Sequence, residues 1–167
     1  MIKEYDLEIF SRKLWVGINP TYDEIKENVG ILVKEEMYDE FSISDYNDIV
    51  DKIKGTTTPV CNKEEPHRKG YLVSIPGNFK KDSMVPELED FTDGKNIPDL
   101  VNTITHECVH VCDLMKKDIG LKVADTETNA YVSGFCAECV TKTILEYKNQ
   151  KDDGKEYGSD EPQSVAE

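Results

Sequence analysis

The chain lacks long apolar runs and has little positive charge, and each lack excludes a class of protein. No segment approaches the roughly 18 apolar residues of a membrane-spanning helix, and the N-terminus has no apolar stretch of signal-peptide length. Acidic residues outnumber Lys and Arg by 34 to 20, giving a formal net charge of −14. Nucleic acids and anionic membranes are bound through Lys and Arg, so neither is an expected partner. We expect a cytoplasmic protein.

The sequence also gives no sign of a disulfide framework or of internal repeats. Five cysteines are an odd number, which fits a reducing compartment better than a disulfide framework. The 167 residues contain no internal repeat and are expected to form one domain. The end of the chain is acidic and poor in apolar residues, so burial cannot offset the entropy of ordering it. The sequence therefore predicts a domain over residues 1–149 and a disordered acidic tail over residues 150–167.

Histidine is scarce too, yet two of the three histidines fall in one short pattern. His106, Glu107 and His110 form His-Glu-x-x-His, and apolar residues recur around them at helical spacing. Positions i and i+4 of a helix lie about 40° apart on one face, close enough for two imidazoles to share a metal ion. A carboxylate beside such an ion takes a proton from the attacking water. The pattern predicts a zinc hydrolase in which His106 and His110 are ligands and Glu107 is the general base.

A third ligand is needed, because a catalytic zinc takes three protein ligands and keeps one position open for water. The metzincin continuation would require Gly and His at the positions that hold Asp113 and Lys116, so that class is excluded. A carboxylate from a following helix is the alternative. Glu127 is the predicted third ligand because it stands at the start of the more convincing helix, and Asp125 competes with it.

The pattern and the segment after it resemble a known family. His-Glu-Cys-Val-His followed by the Glu127-x-x-Ala130-Tyr131 helix resembles the gluzincin branch of the zincin metallopeptidases. Residues 5–147 are also similar to small zincin-like proteins of bacteriophage genomes, in which a strand like residues 71–75 precedes the His-Glu-x-x-His helix. The resemblance implies a peptide or protein substrate. It also implies a minimal zincin-like fold, in which a small twisted mixed sheet packs against the two helices.

The remaining segments predict an α+β fold. Residues 5–18 are expected to form one long strand or a hairpin, and residues 21–29 a helix capped by Thr21 with Glu24 as its capping-box partner. Two further strands are expected at residues 56–61 and 71–76. The second of these is the expected sheet edge, where an extended peptide substrate could add as a strand.

Other interpretations of the same residues stay open. Cys136 and Cys139 could join the histidines in a structural zinc site, although helical geometry turns Cys136 away from the metal face, and packing as a small apolar group is the simpler expectation. The chain could also be a zincin-shaped binding or assembly protein without proteolytic activity, encoded for instance by a phage. Asp113 could orient an imidazole, and Tyr131 or His67 could bind an oxyanion. The oligomeric state cannot be read from the sequence.

Overall fold

The computed structural model describes residues 1–7, 10–34, 37–50, 55–75, 97–120 and 126–156. Six strands and four helices occur in this part of the chain. The strands are β1 (Ile2–Leu7), β2 (Arg12–Ile18), β3 (Val29–Lys34), β4 (Met37–Asp39), β5 (Thr56–Asn62) and β6 (Lys69–Ile75). The helices are α1 (Tyr22–Asn28), α2 (Ile43–Val50), α3 (Ile97–Asp118) and α4 (Thr126–Glu156).

The six strands form one mixed sheet in the order β1-β2-β6-β5-β3-β4. Only β2 and β6 run parallel among these neighbours, and the other pairs are antiparallel. β6 therefore lies inside the sheet, and the expectation that residues 71–75 form an edge is wrong. A nearly unbroken run of buried residues in β6 is typical of a strand covered on both faces. The outer strands are β1 and β4.

Local signals explain the first elements. β1 and β2 pair as an antiparallel hairpin, which confirms the second form of the prediction for residues 5–18. Thr21 caps α1 by accepting from the Glu24 amide, and the Glu24 carboxylate accepts from the Thr21 amide in return, at 3.2 and 2.8 Å. These two bonds satisfy amides that the helix itself leaves unpaired, so the predicted capping box is confirmed.

Helices cover both faces of the sheet. On one face α3 and α4 bury a core with the inward side chains of β2 and β6, including Leu14, Val16 and Val73. On the other face Trp15, Leu72 and Val60 pack with Ile25 of α1. The prediction of a mixed α+β fold is confirmed at this level, with the two long helices together on one face as expected.

The described helices also bear on two other expectations. None of them is long and apolar enough to cross a membrane. Helix α4 continues to Glu156, into the segment predicted as a tail, and residues 157–167 lie outside the described part.

Candidate metal centre

Helix α3 presents the His-Glu-x-x-His pattern because its apolar residues take the opposite face. Ile104, Cys108, Val111, Cys112 and Met115 recur at helical spacing and are buried against the sheet and α4. Burial of this stripe fixes the rotation of the helix about its axis. Both histidines of the pattern lie outside this stripe and consequently face outward.

The two imidazoles lie against each other on the exposed face of α3. Nε2 of His110 and Nε2 of His106 are 3.0 Å apart, and the ring centroids are 4.5 Å apart with the planes nearly perpendicular. The two nitrogens are within hydrogen-bonding distance of each other and therefore border the same small volume. The helical spacing predicted this pairing, and the structure brings these two residues together.

Glu107 sits beside the histidines but points into the protein. Its side chain is only 4% exposed, on the flank of α3 that packs on β5. The Thr57 hydroxyl lies 2.8 Å from Oε2 of Glu107 and 3.2 Å from its main-chain oxygen, so one side chain of β5 contacts the carboxylate and the helix backbone together. Gly55 leaves room for this carboxylate, because a Cβ there would lie 3.1 Å from Cγ and 3.3 Å from Oε1 of Glu107.

The face that carries the histidines is turned away from α4. Cys112 marks the side of α3 that meets α4, with its Sγ 3.1 Å from Oγ of Ser133 and 3.7 Å from the oxygen of Asn129. At about 100° per residue, His106 and His110 lie about 120° and 160° around α3 from Cys112. The imidazoles therefore do not point at the helix that was expected to supply the third ligand.

Glu127 occupies the first turn of α4 and is exposed. It lies about 120° around that helix from Ser133, which contacts α3, so its side also faces away from the interface between the helices. Gly134, two turns further along the same side, has only open space where a Cβ would stand. Among the described residues no group of three His, Cys, Asp or Glu side chains is arranged to hold a metal ion. The structure thus joins His106 to His110 and leaves Glu127 apart, and Asp125 lies outside the described residues.

The cysteines form part of the core between α3 and α4. All five are free thiols and buried, and four of them belong to the core that these helices share. The hydrogen bond between Cys108 and Cys136, together with burial, raises the pKa of Cys136, and burial raises the pKa of Cys139 to about 11. The same hydrogen bond lowers the pKa of Cys108. Buried thiols packed in an apolar core fit the expectation of small buried groups. The histidines lie on the opposite side of α3, so the Cys/His site is not assembled here.

Three further residues, Asp113, His67 and Tyr131, had open roles in the sequence, and Asp113 follows His110 by about one turn of α3. Asp113 is exposed and forms an ion pair with Lys116, whose Nζ lies 3.6 Å from Oδ1. His67 is exposed in the turn between β5 and β6. Tyr131 is 56% exposed on α4 and lines a surface cavity with Tyr5 of β1, so it is not part of the core.

Sequence reasoning did not identify Thr57 or Gly55 as part of the site. No local pattern links them to Glu107, because β5 meets α3 only through the tertiary fold. Comparison of the chain with protein-family models, curated proteins and solved structures finds no match.

Proposed function

We propose that the protein is a zinc-dependent peptidase that uses His106 and His110 as metal ligands and Glu107 as general base. The observation that carries the proposal is the 3.0 Å separation of the two Nε2 atoms. Two imidazoles that bind one tetrahedral zinc at about 2.0–2.1 Å place their nitrogens about 3.3 Å apart. The pair therefore needs an adjustment of only a few tenths of an ångström to share an ion.

Glu107 is proposed to handle the proton of the reaction. Zinc, when bound, polarises a carbonyl and lowers the pKa of a bound water to about 7. Thr57 donates to Oε2 and thereby holds the carboxylate in one rotamer. Oε1 would take a proton from the attacking water and return it to the leaving amine, a transfer that contributes about 10²- to 10⁴-fold to such rates.

Glu127 is the predicted third ligand. Glu127 stays a prediction from the sequence. It lies on α4 and the histidines lie on α3, and both face away from the interface between these helices. Zinc binding by Glu127→Ala tests it directly. Unchanged affinity in this variant would remove Glu127 from the site while leaving the histidine pair in place.

The main experiment measures zinc and hydrolysis separately. We expect one zinc per chain by elemental analysis after dialysis, and loss of that zinc in His106→Ala and His110→Ala. His67→Ala is the matched control, since it removes an exposed histidine that lies outside α3, in the turn between β5 and β6. Glu107→Gln should keep the zinc and lose hydrolysis of a peptide library by about 10²-fold or more. Zinc that persists without either imidazole, or full hydrolysis by Glu107→Gln, would contradict the proposal.

A second candidate is a binding or assembly protein with the same architecture. The specific observation in its favour is that Glu107 is nearly buried and already accepts a hydrogen bond from Thr57, as a structural carboxylate would. In that case Glu107→Gln would change stability and no zinc-dependent hydrolysis would be found for any peptide. Zinc binding by the histidines without hydrolysis would also favour this candidate.

A further inference from the structure

Among the described residues, no strand pairs with one row of main-chain groups of β1. Met1 and Ile18 exchange two main-chain hydrogen bonds, at 2.9 and 3.2 Å, so they form a hydrogen-bonded pair of the β1–β2 ladder. Such pairs alternate along an antiparallel ladder. The amides and carbonyls of Tyr5 and Leu7 therefore point toward β2, whereas those of Glu4 and Asp6 point toward the open side of the sheet, where β1 is outermost.

An apolar cavity lies beside this free edge. Its volume is about 340 Å³, near the lower end of the range for small-ligand pockets. The residues that line it are Tyr5, Asp6, Leu7, Phe10, Tyr131, Val132 and Phe135. Four of these seven are aromatic, and Tyr131 is one of the most exposed large apolar side chains among the described residues. A single ring from a bound chain would find aromatic surfaces to pack against.

The other face of β1 carries an excess of negative charge. Glu4 and Asp6 both pair with Lys13 of β2, at 2.8 and 2.6 Å, which leaves two carboxylates for one ammonium group. Side chains alternate along a strand, so these carboxylates flank Tyr5 in sequence and point to the opposite face of β1, while Asp6 also borders the cavity. The edge thus offers an acidic position, an apolar position and a second acidic position in succession.

We propose that β1 binds an extended peptide as an added antiparallel strand, with an aromatic residue in the cavity between two basic residues. The aromatic residue lies opposite Tyr5, and the basic residues lie opposite Glu4 and Asp6. Main-chain hydrogen bonds to Glu4 and Asp6 hold the peptide, and the cavity and the two carboxylates select its side chains. This site is independent of the histidine pair and does not rest on the proposed zinc chemistry.

A second copy of the chain is a poorer occupant of the same edge. Symmetric pairing of two β1 strands about Glu4 would place the two Glu4 carboxylates opposite each other. Pairing about Tyr5 would instead set Glu4 against Asp6, and pairing about Lys3 would oppose two lysines. Like charges directly opposite each other destabilise a strand pair, which is a common way for an edge to resist self-association.

The binding test uses short labelled peptides and the full chain. The probe is a blocked seven-residue peptide with a central phenylalanine flanked by lysines and by threonines outside them. We expect saturable binding in fluorescence anisotropy, and binding at least about tenfold weaker when both lysines are replaced by glutamates or the phenylalanine by alanine. Equal binding of all three peptides, or none by the first, would overturn the proposal.

The backbone of the probe tests the geometry of strand addition. In the antiparallel arrangement the lysine amides point at Glu4 and Asp6, whereas the phenylalanine amide points to solvent. Methylation of the two lysine amide nitrogens should abolish binding, and methylation of the phenylalanine nitrogen should leave it within about threefold. The reverse result would refute the proposed arrangement.

Two protein variants test the same site from the other side. Tyr131→Ala should weaken the lysine–phenylalanine peptide about tenfold. Leu145→Ala is its matched control on the same helix, since both side chains are 56% exposed and Leu145 does not line the cavity. Loss of binding in the control alone, or in neither variant, would contradict the assignment of the cavity.

Glu4→Pro removes an amide that points away from β2, a position where an edge strand tolerates proline. Its thermal unfolding shows whether the fold survives, and Glu4→Gln separates the loss of charge from the loss of the amide. We expect Glu4→Pro to lose the peptide and Glu4→Gln to weaken it several-fold. Retained binding by a folded Glu4→Pro variant would exclude strand addition at this edge. If the chain instead forms concentration-dependent dimers and Glu4→Pro makes them dissociate, a second copy occupies this edge. That result would overturn the proposal.

Discussion

We expect the hydrogen bond from Thr57 to Glu107 to contribute strongly to the free energy of unfolding. Its acceptor is a carboxylate whose side chain is 4% exposed, and the oxygens are 2.8 Å apart. Hydrogen bonds to charged groups contribute about 1.5–3 kcal/mol, and a buried acceptor that loses its donor is not rescued by water. Thr57→Val keeps the branched shape and removes only the hydroxyl. We therefore expect the free energy of unfolding to fall by about 2 kcal/mol.

This loss is measurable by urea denaturation and by thermal melting. For a protein of this size about 2 kcal/mol corresponds to a decrease in Tm of about 4–8 °C. Thr58→Val is the matched control, because Thr58 neighbours Thr57 on β5 and its side chain points to the opposite face of the sheet. We expect a change within about 0.5 kcal/mol for the control.

A double-mutant cycle separates this bond from other effects of the substitution. In a Glu107→Gln background the hydroxyl meets a neutral acceptor, and such a bond is about half as strong. Thr57→Val should then cost only about 1 kcal/mol. A cost that is the same in both backgrounds, or equal for Thr57→Val and the control on the opposite face, would refute the assignment of a charged hydrogen bond.

Four further substitutions test the fold by urea denaturation. Gly70→Ala should cost about 3 kcal/mol, because the new Cβ would collide with the Lys13 main-chain carbonyl on β2, whereas Gly134→Ala, where a Cβ meets open space, should stabilise by about 0.5–1 kcal/mol. An equal response of the two would show that β2 and β6 are further apart. Gly120→Ala should cost about 1 kcal/mol because residue 120 has a φ of +70°, and a neutral result would mean that the end of α3 has another conformation. Thr21→Ala should cost about 1 kcal/mol through loss of the capping box, and no loss would show that the cap contributes nothing.

Elements with strong local signals were predictable. The capping residues of α1 lie three positions apart and bond to each other's amides, so the sequence alone specifies them. The pairing of His106 with His110 follows from helical periodicity in the same way. Strands β3 and β4 were missed, since three-to-six-residue strands without clear alternation carry little local signal. The mostly apolar run of β6 is typical of an interior strand, but the segment was predicted to be a sheet edge.

The sequence by itself determined that two imidazoles and a carboxylate share one helix, because that relation depends only on the pitch of the helix. Tertiary structure alone decided where each of them points. Packing of the apolar stripe of α3 turned Glu107 inward to Thr57 and the histidines outward, away from α4. The same packing left Glu127 on the outer side of its helix and Tyr131 beside the free edge of β1. Such relations join residues far apart in the chain, and no local periodicity encodes them.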